Sequence, residues 1–300
     1  MYARERARHE HAFLALREVR SGCADVGIDV LPVKGVLTAH LFYRDPGERP
    51  IRDIDLRVQE RDLARVEHVG RRSGWRLLGR SWAYRTLAFE VLGFLVEFES
   101  HVGPPGLCGL PVEDMLRRAR PSVEPLGLPH LQPEIHDHAV LLCVNAFKDK
   151  LVDAVPGAIR DLELLPIQPG FVPDRFVSLA ATSGVVTIAW IVANWLVEAR
   201  RSTGWHGLRE RLGRMSPRAC YASLFDRLVR SRIPFRQNAP HPRARRLRSP
   251  EPPDRSPLRD GRRTGRGHPR QGTTSKCLAG RSHRRRHGPG EEARVGGQRP

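Results

Sequence analysis

The chain has 300 residues and a formal net charge of +18, enough length for one large domain or two smaller ones. The charge is uneven: residues 236–300 hold 17 Arg and 1 Lys against 5 acids, while residues 1–235 hold 33 basic and 28 acidic groups. The body is therefore only mildly basic. Five scattered cysteines without a CxxC pair argue against a disulfide framework and a structural zinc site, and they suit a reducing cytoplasm.

The N-terminal MYARERARHEH lacks the apolar core of a signal peptide, so a cytoplasmic location is expected. Residues 3–25 read as a helix, with Phe13, Leu16 and Val19 on one face and Leu14 and Cys23 nearby. IDVLPV reads as a strand, Lys34-Gly35 as a turn, and VLTAHLFY as a helix. The turn RDPGERP is rich in punctuating residues.

RPIRDIDLRV then reads as a strand in which Ile54, Leu56 and Val58 alternate with Asp53, Asp55 and Arg57. ERDLARVEHVGRRSG is an amphipathic helix with Leu63, Val66 and Val69 inward. WRLLGR, WAYRTLAFEVL and GFLVEFESHV read as three strands of a meander. Helices follow over 112–119, 133–151, 156–164, 174–183, 185–200 and 206 to about 231. The apolar run VVTIAWIVANWLV is too short for the about 20 residues a membrane span needs, and is read as a buried helix.

Residues 236–300 differ in kind. Arg, Pro and Gly dominate, aromatics end at Phe235, and no apolar periodicity remains, so this tail is expected to be disordered. Three readings stand: a basic arm that binds nucleic acid, a merely solvated tail, and out-of-frame translation of a GC-rich gene. The abruptness of the change favours the third.

Asp53 and Asp55 share one face of their strand, and two like charges held close need water, a cation or a proton to relieve them. Hard divalent cations such as Mg²⁺ take oxygen ligands and keep substrate phosphates. A third carboxylate would complete a two-metal arrangement for phosphoryl or nucleotidyl transfer. Glu97 and Glu99 share a strand face and either can supply it; the competing reading is the wet face of an edge strand. Upstream, Gly35 allows close backbone approach, the following helix offers N–H groups to an anion, and Lys34 adds a charge suited to phosphate. Arg49 and Arg52 flank the aspartates with forked donors. Lys-Gly alone reads as an ordinary βα turn; the set together says more.

The run Lys34-Gly35, an apolar helix ending in Tyr43, Asp45-Pro46-Gly47, Arg49-Pro50 and Asp53-Ile54-Asp55-Leu56 resembles the uncharacterised bacterial nucleotidyltransferase family, which has the polymerase-β-type nucleotidyltransferase fold. Arg57 departs from that pattern, where an apolar residue is usual. Glu99-Ser100-His101-Val102 is similar to the family's acid-x-His-Trp segment without its Trp.

The resemblance implies an α+β fold: a nucleotidyltransferase-type mixed sheet with flanking helices (1–128), a helical domain (129–235) and the tail (236–300). It implies a Mg²⁺-dependent transfer of NMP from an NTP to a hydroxyl of a protein, tRNA end or small molecule. Two Mg²⁺ ions would sit on Asp53, Asp55 and Glu99, with Glu97 as the alternative third acid. Lys34, Gly35, Arg49 and Arg52 would contact the nucleotide. In the helical half, HDHAVLLCVNAFKDK and AIRDLELL hold places similar to family segments, making His138, Asn145, Lys148, Arg160 and Asp161 polar candidates, with helix capping and bridging as the competing role.

Two other functions remain open at this point: a non-catalytic NTP-binding or antitoxin-like regulator, and nucleic-acid binding through the tail. There is no GxSxG, HExxH, GxxxxGK[ST], or GxGxxG after a strand. Cys143, Trp190 and Trp195 read as core.

Overall fold

In the computed structural model, the described residues are 2–149, 151 and 156–215. The expected tail and the expected end of the last helix, from 216 onward, lie outside them.

The first half alternates helices and strands: α1 (Tyr2–Ala24), β1 (Leu31–Val33), α2 (Gly35–Phe42), β2 (Asp53–Arg57), α3 (Leu63–Arg72), β3 (Arg76–Ser81), β4 (Thr86–Val91) and β5 (Phe94–Glu99). The five strands form one mixed sheet in the order β1-β2-β5-β4-β3. β2 and β5 run parallel, and the other neighbours are antiparallel. This is the expected α+β class.

The alternation in β2 and β5 sorts the sheet into two faces. Ile54, Leu56, Val96 and Phe98 join Leu87 and Phe89 beneath α1 and α3. Leu63, Val66 and Val69 of α3 are buried there as their spacing predicts, each side chain stabilising the fold by about 1.5–3 kcal/mol. Phe98 stacks on Trp75 at 6.4 Å and meets Phe89 edge-on at 5.9 Å. The opposite face carries Asp53, Asp55 and Arg57 of β2 beside Leu95, Glu97 and Glu99 of β5.

The second half is helical: α4 (Val112–Arg118), a small hairpin of β6 (Arg120–Ser122) and β7 (His130–Gln132), α5 (Ile135–Lys148), α6 (Pro156–Leu164), α7 (Pro173–Thr182), α8 (Val186–Arg200) and α9 (His206–Met215). Its core unites α5, α7 and α8 and extends to Leu31 and Val33 of β1. The helical half therefore packs on the sheet face that bears the carboxylates. Cys143 is fully buried in this core, and Trp190 and Trp195 pack against it. Among the described residues no helix is long and apolar enough to cross a membrane.

Several local expectations differ from the fold. Ile28 and Val30 are buried but stand outside the ladder, which begins at Leu31. Residues 82–85 form the turn between β3 and β4, with Arg85 at φ 50°, instead of extending the strand. Leu14 is exposed, on the far side of α1 from Leu16 and Val19. The β6–β7 hairpin was not anticipated, because strands of three residues lack a readable alternation.

Candidate active site

Parallel pairing decides which residues meet. β2 and β5 are in register with Asp53 opposite Leu95, Asp55 opposite Glu97, and Arg57 opposite Glu99. Carboxylate oxygens of Asp55, Glu97 and Glu99 lie within 4.8 Å of one another, close enough to hold a metal ion. Asp53 is on the same face, one pleat away, and stands outside that group of three. The structure thus brings both candidate glutamates to the aspartate pair, where the sequence left a choice between them.

Two cations are built into this face. Lys34 Nζ donates to Asp55 Oδ1 at 2.6 Å. Arg57 Nη1 lies 2.5 Å from Glu99 Oε2, and the Arg57 side chain is only 1% exposed. Among the described residues Glu97 has no such partner. Burial, together with the charges of Asp55, Glu99 and Asp53, pushes its carboxyl up to about 7. Burial and Asp55 push Asp53 up to about 6, against the pull of Lys34 and Arg49. Burial acts in the same sense on Glu99, but Arg57, Lys34 and Lys148 overcome it and hold that group down at about 2. Lys148, exposed at the end of α5, thus contributes positive field at Glu99. Burial presses the Lys34 ammonium down, and the Asp55 and Glu99 carboxylates more than offset it, so Lys34 titrates above its ordinary value.

The Lys34-Gly35 turn is held from both halves of the chain. Lys34 adopts φ 54° and ψ −135°, a backbone region that costs a non-glycine residue about 1–3 kcal/mol. Its N–H donates to Nε2 of the buried His138 on α5 at 3.1 Å. Because Nε2 accepts, the imidazole carries its proton on Nδ1, and burial holds the ring neutral, its pKa lowered to about 3. The strain is thus fixed by a hydrogen bond across 104 residues, and it aims the Lys34 side chain at Asp55.

Arg49 is committed elsewhere than to solvent. It is buried, and its Nε and Nη2 grip Asp161 of α6, with Nη2 to Oδ2 at 2.7 Å. Its Nη1 donates to Pro50 O at 2.8 Å. Asp161 also accepts from Tyr43 OH at 2.8 Å and Thr38 Oγ1 at 3.1 Å. The adjacent Arg160 is instead exposed and pairs with Glu163. Gly35 explains itself here: a Cβ on it would come within 2.8 Å of Arg49 Nη1 and 3.3 Å of Ile51 Cγ2. Gly157 faces the same guanidinium, with Nε 3.2 Å from where its Cβ would be. Arg52, by contrast, is exposed, just before β2.

Sequence reasoning overlooked Thr38, a small polar residue in an apolar helix with no local signal of a partner 123 residues on. Asp161 was in view, though not as the anchor of Arg49. Asn145 is half-buried on α5, with no contact to the carboxylates described.

A family model described as uncharacterised nucleotidyltransferase matches residues 1–194. The chain belongs to this family. It is a transferase that moves nucleotidyl groups, and NMP transfer is its general reaction. No curated protein matches the sequence. Solved structures similar to this chain include a solution structure of the antibiotic-resistance factor ANT(2'')-Ia, 14% identical, with a TM-score of 0.42 over 57% of this chain and 90% of the other. A crystal structure of ANT(2'')-Ia in complex with adenylyl-2''-tobramycin is 14% identical, with a TM-score of 0.43 over 57% and 95%.

Proposed function

We propose that this nucleotidyltransferase uses Mg²⁺ and an NTP, and that the chemistry takes place on the face shared by Asp53, Asp55 and Glu97. One observation carries the reading. Parallel pairing sets Asp55 against Glu97 on a buried face where the cations present fall short of the carboxylates. The donor set is all oxygen, which suits a hard divalent ion. The raised Glu97 and Asp53 carboxyls have the same physical sense: without a further cation the face takes up protons instead.

Asp55 and Glu97 would hold the ion, with Asp53 beside them. When bound, Mg²⁺ supplies positive charge at the phosphate oxygens of the reacting centre. Lys34, placed at the start of α2 by its strained turn, would contact the triphosphate, together with free N–H groups of that helix end. Exposed Arg52, next to Asp53 in sequence, would be a further contact to a phosphate or the acceptor. Arg49 acts at one remove: tied to Asp161, it fixes the Gly35 turn and the approach to β2. The acceptor hydroxyl would attack the α-phosphorus in line, forming the new P–O bond as pyrophosphate leaves and its own proton passes to a base. Glu97 would receive it on the carboxylate oxygen not given to the ion. On this reading residues 1–128 carry the nucleotide chemistry, and the helices from 129 onward cover it and hold Lys34.

Incubation of the full chain with each α-³²P NTP, Mg²⁺ and a cell lysate tests the proposal. Labelled acceptor should form with the wild type and be absent with Asp53→Ala or with EDTA. Undiminished labelling by Asp53→Ala would sink it. The labelled species, whether protein, RNA or small molecule, identifies the acceptor class.

A further inference from the structure

Arg57 is the most deeply buried charged residue of β2. A guanidinium at 1% exposure is costly unless it is paired, and among the described residues neither its Nε nor its Nη1 makes a hydrogen bond of good geometry, which leaves the charge contact with Glu99 as its compensation. It has not been spared that cost by reaching solvent. Register fixes it opposite Glu99, and its Nη1 lies 2.5 Å from Glu99 Oε2.

Charge balance on the face gives this pair a meaning. The four carboxylates Asp53, Asp55, Glu97 and Glu99 carry four negative charges when all are ionised, and Lys34 and Arg57 supply two positive ones. A single divalent ion then brings the face to neutrality. A second would leave it positive before any nucleotide arrives, in a buried setting where uncompensated charge is expensive. Lys34 carries a compact ammonium on a four-carbon stem and is 12% exposed, against 1% for Arg57. Arg57 is enclosed, and moving it would strand both itself and Glu99.

We infer that Arg57 is a resident countercharge at Glu99, standing where a second protein-held divalent ion would otherwise be, so that the nucleotide-free chain binds one ion and not two. The inference rests on the metal-binding reading of this face given above. It also assigns unequal roles to the two glutamates. Glu97 answers to the exchangeable ion, and Glu99 to the fixed guanidinium. Any further ion needed for transfer would come with the nucleotide, held chiefly by its phosphates.

Mn²⁺ titration of the full chain without nucleotide, read by electron paramagnetic resonance of the free ion, tests this directly. The expected wild-type stoichiometry is one, and Glu97→Gln should weaken that site by at least about tenfold. Arg57→Leu should raise the stoichiometry to two, because Glu99 is then without its countercharge, whereas Arg57→Lys should stay at one. A wild-type stoichiometry of two overturns the inference and leaves the metal site standing. A stoichiometry of zero overturns the metal site and the inference with it. Arg57→Leu remaining at one also overturns it. If Arg57→Leu folds poorly, its melting temperature without and with Mn²⁺ decides the matter. A Mn²⁺-induced shift larger than that of the wild type supports the inference, and an equal or smaller shift contradicts it.

Discussion

Asp161 and Asp55 are both buried carboxylates, and both are reached from residues around α2. They differ in what surrounds them. Asp161 takes Arg49 in a two-pronged grip and accepts from Tyr43 and Thr38, so its charge and lone pairs are satisfied by the chain itself. Among the described residues Asp55 has Lys34 alone, and it sits within 4.8 Å of two further carboxylates. A buried acid fully supplied with donors is scaffold. A largely buried cluster with more acids than cations needs something from outside, and the proposed metal and triphosphate would make up that shortfall.

If this contrast is right, substitutions on its two sides should fail in different ways. The largest effect is expected on transfer. Glu97→Gln should lower kcat/KM by about 10³-fold, with the melting temperature unchanged or raised, because a repulsive charge has been removed. Steady-state kinetics and a thermal melt of the same preparation check both halves of that statement.

Asp161→Ala should do the reverse. It strands Arg49 as an uncompensated buried charge, so a loss of about 3–5 kcal/mol of stability is expected by chemical denaturation. The surviving folded fraction should keep its divalent-ion binding. Equal losses of metal binding from Asp161→Ala and Glu97→Gln would erase the distinction.

A pH effect follows from the same shortfall. The folded-state values of Glu97, about 7 against an ordinary 4.5, and of Asp53, about 6 against 3.8, are both raised. The folded protein thus holds protons that the unfolded chain releases. The stability these protons provide is full below the ordinary values, and is lost as pH rises through about 6 to 7. A bound cation takes over their role. The stabilisation by Mg²⁺ should therefore grow between about pH 5 and about pH 8, as seen in melting curves with and without the ion. A Mg²⁺ effect that does not change with pH would count against the cluster as its site.

The smallest expected effect concerns the Lys34 turn. His138→Phe removes the acceptor of a buried N–H and should cost about 1 kcal/mol in denaturant unfolding, with a rise in KM for the NTP. His138→Gln, which keeps an acceptor, should recover part of both.

Much of the site was legible because its signals are local. The alternation of β2 places Asp53 and Asp55 on one face, and the Lys34-Gly35 turn precedes a helix that does form. What resisted reading was set by contacts distant in sequence. Glu97 and Glu99 are two residues apart, so alternation cannot separate them; only the parallel register with β2 shows that one faces Asp55 and the other Arg57. Arg49 looked like a phosphate ligand because its partner, Asp161, lies 112 residues away. Gly35 suggested a backbone approach to phosphate, whereas the atom that needs the space is on Arg49. The meander of β3, β4 and β5 was readable from its alternation, and the three-residue strands β6 and β7 were too short to carry one.

The most direct test of the central claim is calorimetric titration of the full chain with a non-hydrolysable NTP analogue, with and without Mg²⁺, for the wild type and Asp55→Asn. The account predicts that Mg²⁺ tightens wild-type binding by at least about tenfold, and that Asp55→Asn abolishes this gain. The same Mg²⁺-dependent gain in Asp55→Asn would contradict it.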